Sequence, residues 1–519
     1  VTSHQQYRQF RAAHASFKQI TQNDEHSETQ QSRVKSQTDG ALEKYTEFVK
    51  QARTFDVSPE AITAKLDGSN KKRDAFAAAG AALVEAYDRT LEDHVGPADF
   101  DDMIYTATDI VEANPERFGS RYSHLLVDEF QDVSDATLQF VESFMGGGSE
   151  THVFCVGDDW QSIYGFNGSD VTYFTEYDTE FEDVTHTQLQ INYRCPQPIV
   201  DAGSELMAKS GASQNDKEVT ADSNVRMAPQ LHTIEDLYDE RVVPYVADLV
   251  EAALDSHPPD EVMVLSRNDK KSKYMSALRD ELERREIPHL RPDGTKDYLP
   301  DQYQDELSFP VRYDDEGTAE YEIPPGSEGG PAGPPLVRTQ SIHASKGTEA
   351  AVVILLHAVD DDPHGIPKEE RDDPLIEPAV EATADHIPEE RRLFYVALTR
   401  AKAEFHSVGR RSKLSRYVDD IADHFERHDE PFPDELVGQC TEYSPSRHSR
   451  DPIKATLSCS AFDVSLLSWP NQDPPQLEKG ATYRIEIDQP ERQISRGEYG
   501  EEIRFDRTPI TRLADASGE

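Results

Sequence analysis

Leu125-Leu126-Val127-Asp128-Glu129-Phe130-Gln131-Asp132 is a short apolar run that ends on two adjacent carboxylates. Three apolar residues followed by an acidic turn read as a buried strand and its exit loop. The same texture recurs at 152–156, 262–265, 337–342, 352–356 and 405–408, with helix-length segments between the runs. Such alternation specifies an α/β fold around parallel sheets. In parallel sheets ligands bind at the carboxyl ends of the strands, so the residues after each run are the ones to read for chemistry.

Outward from these runs the organisation changes. Residues 1–95 are polar and helix-rich, with Phe76, Leu83, Val84, Tyr87 and Leu91 on one helical face. They are expected to form a helical accessory domain. A sheet domain is expected over 96–190 and a second over 191–428, with a short insertion at about 270–335. A Pro/Gly-rich stretch at 324–335 reads as a connector. A strand-like segment is expected at 185–189. A Pro-punctuated acidic break at 429–435 introduces a small β-rich tail over 429–519, expected to be an accessory module apart from the sheet domains, with a strand near Tyr483 after the turn at Lys479-Gly480.

Asp and Glu total 100 against 53 Lys and Arg, a formal net charge of −47 spread along the whole chain. An acidic disordered polymer is excluded by the regular apolar runs. The composition fits a protein adapted to a cytoplasm of very high salt. Cys155, Cys195, Cys440 and Cys459 show neither metal-ligand spacing nor a paired framework, as expected of a reduced cytoplasmic setting. No run of about 18 apolar residues occurs, so no membrane span is expected. The first residue is Val1.

The strand exits carry specific chemistry. Asp128-Glu129 suits nucleotide hydrolysis, in which one carboxylate holds Mg²⁺ and the other polarises the attacking water; a solvated acidic turn is the plainer alternative. Gly157-Asp158-Asp159-Trp160-Gln161-Ser162-Ile163-Tyr164-Gly165-Phe166-Asn167-Gly168 follows the second run. There Gln161 could position a phosphate or water, while Tyr164 and Phe166 offer faces for stacked bases or are half-buried core aromatics. Asn192-Tyr193-Arg194, Ser341-Ile342-His343-Ala344-Ser345-Lys346-Gly347-Thr348-Glu349 and the helical 389–402 segment, EERRLFYVALTRAK, complete the set. Arg391 and Arg392 read as solvated surface charges.

In this order the segments resemble the motifs of the UvrD/Rep helicases of superfamily 1, over about residues 95–420. Trp160, and the short gap of about 70 residues between Asn268 and Ser341, resemble the helicase IV branch. The resemblance implies two RecA-like parallel-sheet domains, the first incomplete in this chain, with ATP in the cleft between them. It implies that Asp128 holds Mg²⁺, Glu129 activates water and Gln161 senses the γ-phosphate. Tyr193 would stack on adenine, Glu349 approach the ribose, and Arg194 and Arg400 neutralise charge on the transferred phosphoryl group. Tyr164, Phe166 and His343 would line a single-stranded DNA track. Asn167 stands where the family usually has Arg, and Phe166 where it usually has Trp, which weakens the DNA assignments but not those for ATP.

No G-x-x-x-x-G-K-[ST] segment occurs in the 519 residues. The expectation is therefore of an N-terminally truncated motor, missing the first strand and phosphate loop and inactive alone. The intact protein is expected to be an ATP-dependent DNA helicase, 3′ to 5′ by family analogy, acting on single-stranded and duplex DNA, with the tail a possible site for a protein partner. The alternative is a non-catalytic, helicase-derived protein that binds DNA or a partner.

Overall fold

Continuous apolar strands and alternating ones lie in different sheets of the computed structural model. It describes residues 44–55, 57–92, 100–118, 121–145, 151–181, 183–211, 217–269, 272–290, 311–313, 319–321, 336–368, 375–379, 387–431, 433–445, 452–459, 462–468, 476–497, 500–504 and 507–513. The expected connector at 324–335 and the segment 1–43 lie outside these residues. The chain divides into two units, one comprising Val1–His186, Ala212–Asn215 and Glu370–Glu389, the other Thr187–Gly211, Asp216–Glu369 and Glu390–Glu519.

In unit 1 a helical layer is built from α1 (44–54), α2 (Pro59–Ala64) and α3 (Lys71–Glu92). Ser58 caps α2 by accepting the Ala61 N–H, with Pro59 at the first helical position. Phe48, Val49, Ile62, Ala77, Ala81 and Val84 form its core, and Phe76, Leu83 and Tyr87 pack against it as their helical spacing predicts. Gly80 lets α3 approach closely, because a Cβ there would collide with the Phe48 ring. These helices share one unit with the strands that follow α4 (Phe100–Glu112).

Strands β1 (His124–Val127) and β2 (His152–Cys155) pair in parallel, Leu125 opposite Val153 and Val127 opposite Cys155. Side chains alternate across a strand. One face therefore packs Leu125, Val127, Val153 and Cys155 against Phe130, Val133, Leu138 and Val141. The other face presents Leu126 and Phe154, 72% and 60% exposed. Helix α5 (Asp135–Ser143) covers the packed face, its N-terminus capped by Ser134.

Among the described residues, unit 2 holds two sheets and two short pairs. Strands β3 (Ile191–Asn192) and β4 (Thr220–Ala221) form a parallel pair, with α6 (Gln197–Ala208) between them in sequence. Then come β5 (Gln230–Ile234), α7 (Tyr238–Leu254), β6 (Val262–Ser266), α8 (Lys273–Arg284), and the β7 (Val311–Tyr313) and β8 (Ala319–Tyr321) hairpin. Next are β9 (Arg338–Ser341), β10 (Ala350–Leu355), α9 (Ile387–Leu398), β11 (Ala401–Arg410) and β12 (Glu426–Glu430). The order β12-β5-β11-β10-β6-β9 makes an all-parallel six-stranded sheet. Every residue of β6 and β10 is buried, as a continuous apolar run in a doubly covered sheet requires. Helices α7 and α8 supply Val242, Val246, Val250, Met275, Leu278 and Leu282 to the core.

Beyond β12 the chain forms a second sheet from β13 (Glu435–Ser444), β14 (Ile453–Cys459), β15 (Asp463–Ser468), β16 (Thr482–Glu486), β17 (Ile494–Gly497), β18 (Gly500–Arg504) and β19 (Ile510–Arg512). Its order is β17-β18-β15-β14-β13-β16-β19 and it is mainly antiparallel. Strand β13 alternates exposed and buried residues, the signature of a sheet with one packed face. Gly480, at φ 88°, makes the turn before β16.

Three expectations need correction. Residues 185–189 form no strand; the strand is β3, whose Ile191 and Asn192 pair with Thr220 and Ala221. The insertion does not begin at about 270, since α8 contributes Tyr274, Met275, Leu278 and Leu282 to the unit 2 core. The break at 429–435 is shorter, since Asp429 and Glu430 pair with Thr233 and Ile234 of β5.

Candidate active site

In unit 1 the chemistry sits at the exits of β1 and β2. Phe130 N–H donates to Val156 O at 2.9 Å and Val156 N–H to Val127 O at 2.9 Å, which staples the two exits together. Asp128 and Glu129 are both exposed. Asp128 Oδ1 accepts the Glu129 N–H at 2.9 Å. Glu129 adopts φ 52°, a left-handed conformation that costs a non-glycine residue about 1–3 kcal/mol. On the neighbouring exit, Asp158 Oδ1 accepts the Trp160 N–H at 3.1 Å, and its Oδ2 accepts from Gln161 Nε2 at 2.7 Å. Gln131 joins the exits, donating to Glu129 Oε2 at 2.6 Å and accepting the Asp158 N–H at 2.8 Å.

Beside this cluster Tyr164 and Phe166 meet edge to face at 6.0 Å. Burial, then the carboxylates of Asp132 and Glu129, raise the Tyr164 phenol pKa above its usual range. Phe166 is 47% exposed, whereas Trp160 is buried. Of the aromatics in this segment, Phe166 therefore has a face open to a ligand and Trp160 serves the core.

In unit 2, Asn192 Oδ1 accepts the backbone N–H of Arg194 at 2.9 Å and of Cys195 at 2.8 Å, an Asx turn that fixes the exit of β3. The turn leaves Tyr193 76% exposed. Arg194 Nε pairs with Glu349 Oε2 at 2.7 Å, so this glutamate holds an arginine as well as standing where a ribose contact is expected. Arg400 is buried, and its guanidinium donates to Val396 O at 3.1 Å and Thr348 O at 3.2 Å. The Cys195 thiol donates to Thr399 O at 3.4 Å; burial pushes it up to about 11 against the opposing pull of Arg194 and Arg400. Tyr193, Arg194, Glu349 and Arg400 are thus brought to one region of unit 2. His343 opens a single 3-10 turn after β9 and is half-buried.

Among the described residues no group of three or more His, Cys, Asp or Glu side chains could hold a metal by itself. Exposed Asp128 at a strand exit fits Mg²⁺ that arrives on a nucleotide, which keeps its waters and takes one or two carboxylates plus phosphate oxygens. No helix among the described residues is long and apolar enough to cross a membrane.

Several participants escaped the sequence reading. Arg267 and Glu390 form a bidentate pair at 2.6–3.0 Å, and Arg391 pairs with Asp420 at 2.6 Å while lying over the Tyr417 ring. Arg391 is therefore a packed residue and not a solvated surface charge. The Asn192 turn was signalled by Asx followed two residues later by its N–H partner. No local signal marked the Gln131–Asp158 or Arg267–Glu390 contacts, whose partners are brought together by the tertiary fold.

Residues 2–182 match the UvrD/REP helicase N-terminal domain, and residues 333–406 match the UvrD-like helicase C-terminal domain. A putative ATP-dependent DNA helicase of Bacillus subtilis is 27% identical over 219 residues, 42% of this chain and 28% of that protein. DNA helicase IV of Escherichia coli is 25% identical over 323 residues, 62% of this chain and 38% of that one. The ATP-dependent DNA helicase UvrD1 of Mycobacterium tuberculosis is 26% identical over 264 residues, 49% and 33% respectively. The chain thus spans 28–38% of the length of these relatives.

Proposed function

We propose that this chain, whose residues 2–182 and 333–406 match the UvrD/REP helicase N-terminal and UvrD-like C-terminal domains, carries the hydrolytic and DNA-gripping parts of an ATP-driven DNA helicase that moves 3′ to 5′ on single strands. The observation that carries this reading is the pairing of β1 and β2, which delivers Asp128, Glu129 and Gln161 to one edge of unit 1. In this reading Asp128 holds Mg²⁺ brought by ATP, Glu129 takes a proton from the attacking water, and Gln161 orients the γ-phosphate or that water. Tyr193 stacks on adenine. Arg194 and Arg400 stabilise charge on the transferring phosphoryl group, a role worth 10³-fold or more in other nucleotide hydrolases. Arg194 is released from Glu349 as it takes up phosphate, which leaves the carboxylate for the ribose. Phe166, Tyr164 and His343 contact single-stranded DNA.

The 519 residues contain no G-x-x-x-x-G-K-[ST] segment, the loop whose backbone N–H groups cradle phosphates at a helix N-terminus. This polypeptide by itself therefore hydrolyses ATP slowly, since positioning and electrostatics supply nearly all of phosphoryl-transfer catalysis. That feature also sustains a second reading, a helicase-derived protein that binds DNA without catalysis. Phosphate release from ATP in molar KCl, with and without single-stranded DNA, separates the two. Release that rises with DNA supports the motor. DNA binding with no release at the same protein concentration supports the second reading.

A further inference from the structure

Gln131 is fully buried, yet neither end of its amide is idle. Its Nε2 donates to Glu129 Oε2 at 2.6 Å and, at 3.4 Å, toward Asp132 Oδ2; its Oε1 accepts the Asp158 N–H at 2.8 Å. The opposite amide orientation would set oxygen against carboxylate and NH₂ against N–H, so the two contacts fix one orientation. The backbone around it is shaped to the same end. Gly157 is needed because a Cβ there would sit 2.6 Å from Gln131 Oε1 and 3.0 Å from Phe174. Glu129 is held in its left-handed conformation, with Asp132 N–H bonded to its carbonyl at 2.9 Å. A glutamate has three rotatable side-chain bonds, and an exposed one samples many rotamers.

We propose that Gln131 is the positioning residue for the Glu129 carboxylate, locking it to the exit of β2 and hence to the segment that carries Gln161. The inference rests on the reading of Glu129 as the group that activates water. A buried donor at 2.6 Å restricts the carboxylate to one placement, and because that donor is anchored on Asp158, a shift of the β2 exit moves Glu129 with it. Gln161, bonded to the Asp158 side chain, is part of the same rigid piece.

Substitutions at Gln131 and Glu129 separate positioning from packing. Gln131→Glu keeps the shape and the acceptor toward Asp158 but sets two carboxylates side by side. At pH 7.5 in 2 M KCl the full chain should melt roughly 3–6 °C below the parent. The swap Glu129→Gln with Gln131→Glu, which reverses donor and acceptor, should recover more than half of that loss. A loss undiminished in the swap overturns the bond. The role is tested in single-turnover hydrolysis of labelled ATP with the chain in excess. Gln131→Met should lower the rate constant at least tenfold while the half-saturating chain concentration stays within about twofold. A folded Gln131→Met chain as fast as the parent overturns the positioning role. A Glu129→Gln chain as fast as the parent would strike the underlying reading of Glu129 instead, and the melting experiment tells the two failures apart.

Discussion

Phe166 is the residue on which the proposed DNA contact rests most simply, because it is 47% exposed beside the carboxylate cluster. At about 1 M salt the Debye length is roughly 3 Å, so counterion release contributes little to binding and stacking carries more of the grip. A stacked base is worth roughly 1–3 kcal/mol. Phe166→Ala should therefore weaken single-strand binding in molar KCl about tenfold, measured by fluorescence anisotropy; equal affinities would return Phe166 to a structural role. His232 sets a second expectation. Its ring lies between His406 and His428, at 5.2 and 5.0 Å, and bonds Tyr245 and His406. Burial first, then those two histidines, push it down to about 3, against an unfolded value of about 6.5. Between those values the unfolded chain binds the extra proton, so this contribution to stability is complete above pH 6.5 and is lost as pH falls toward 3. One proton is about 1.4 kcal/mol per pH unit. His232→Gln should flatten the stability profile between pH 6.5 and 4 by about that slope; an unchanged slope in urea titrations would contradict it. At this scale the exposed or strand-exit residues were legible: Asp128, Glu129, Gln161, Tyr193 and Arg194 each follow an apolar run or turn. The Gln131–Asp158, Arg267–Glu390 and Arg194–Glu349 contacts were not, because a partner distant in sequence leaves no local pattern.

The elements that could be read in advance are those whose burial shows in composition. Strands β6 and β10 are continuous apolar runs because both faces of their sheet are covered. Strand β12, Glu-Arg-His-Asp-Glu, carried no such signal: it is a charged edge strand, the usual protection of a sheet edge against further pairing. Strand β5, Gln-Leu-His-Thr-Ile, was missed because its buried polar residues bond to β12 and to His406 and so need no apolar character. The tail was expected to stand apart as an accessory module. Instead Leu237, at the head of α7, is fully buried in the tail's core with Leu436, Tyr483 and Ile485. Arg241 on the same helix donates to Pro431 O at 2.8 Å. Ending the chain after Glu430 strips that cover, and Leu237→Ala in the full chain creates the matching cavity at about 2–5 kcal/mol. Both changes should lower the melting temperature of unit 2, followed by calorimetry, and a shortened chain with the parent's transition would show the tail to be independent.

Across the whole molecule, 100 acidic residues against 53 basic ones repel one another wherever salt is low. Self-repulsion destabilises a compact state, and about 1 M salt screens it beyond roughly 3 Å. The melting temperature should rise by roughly 10 °C or more between 0.1 and 2 M KCl, and a flat dependence would contradict adaptation to high salt. Charge of this kind is legible from composition alone because it needs no knowledge of the fold. The division of the chain was less so: the helices of residues 44–92 share a unit with β1 and β2, and the tail shares one with the six-stranded sheet, through contacts that composition does not record. The central claim is that Glu129, placed at the exit of β1 beside Asp128 and tied to the exit of β2, performs nucleotide hydrolysis coupled to DNA. Its most direct test is phosphate release from ATP in 2 M KCl with saturating single-stranded DNA, comparing the parent chain with Glu129→Gln. The parent should show slow, DNA-stimulated release, and Glu129→Gln should reduce it at least a hundredfold, in keeping with loss of a general base. A Glu129→Gln chain that releases phosphate at the parent's rate would contradict the account.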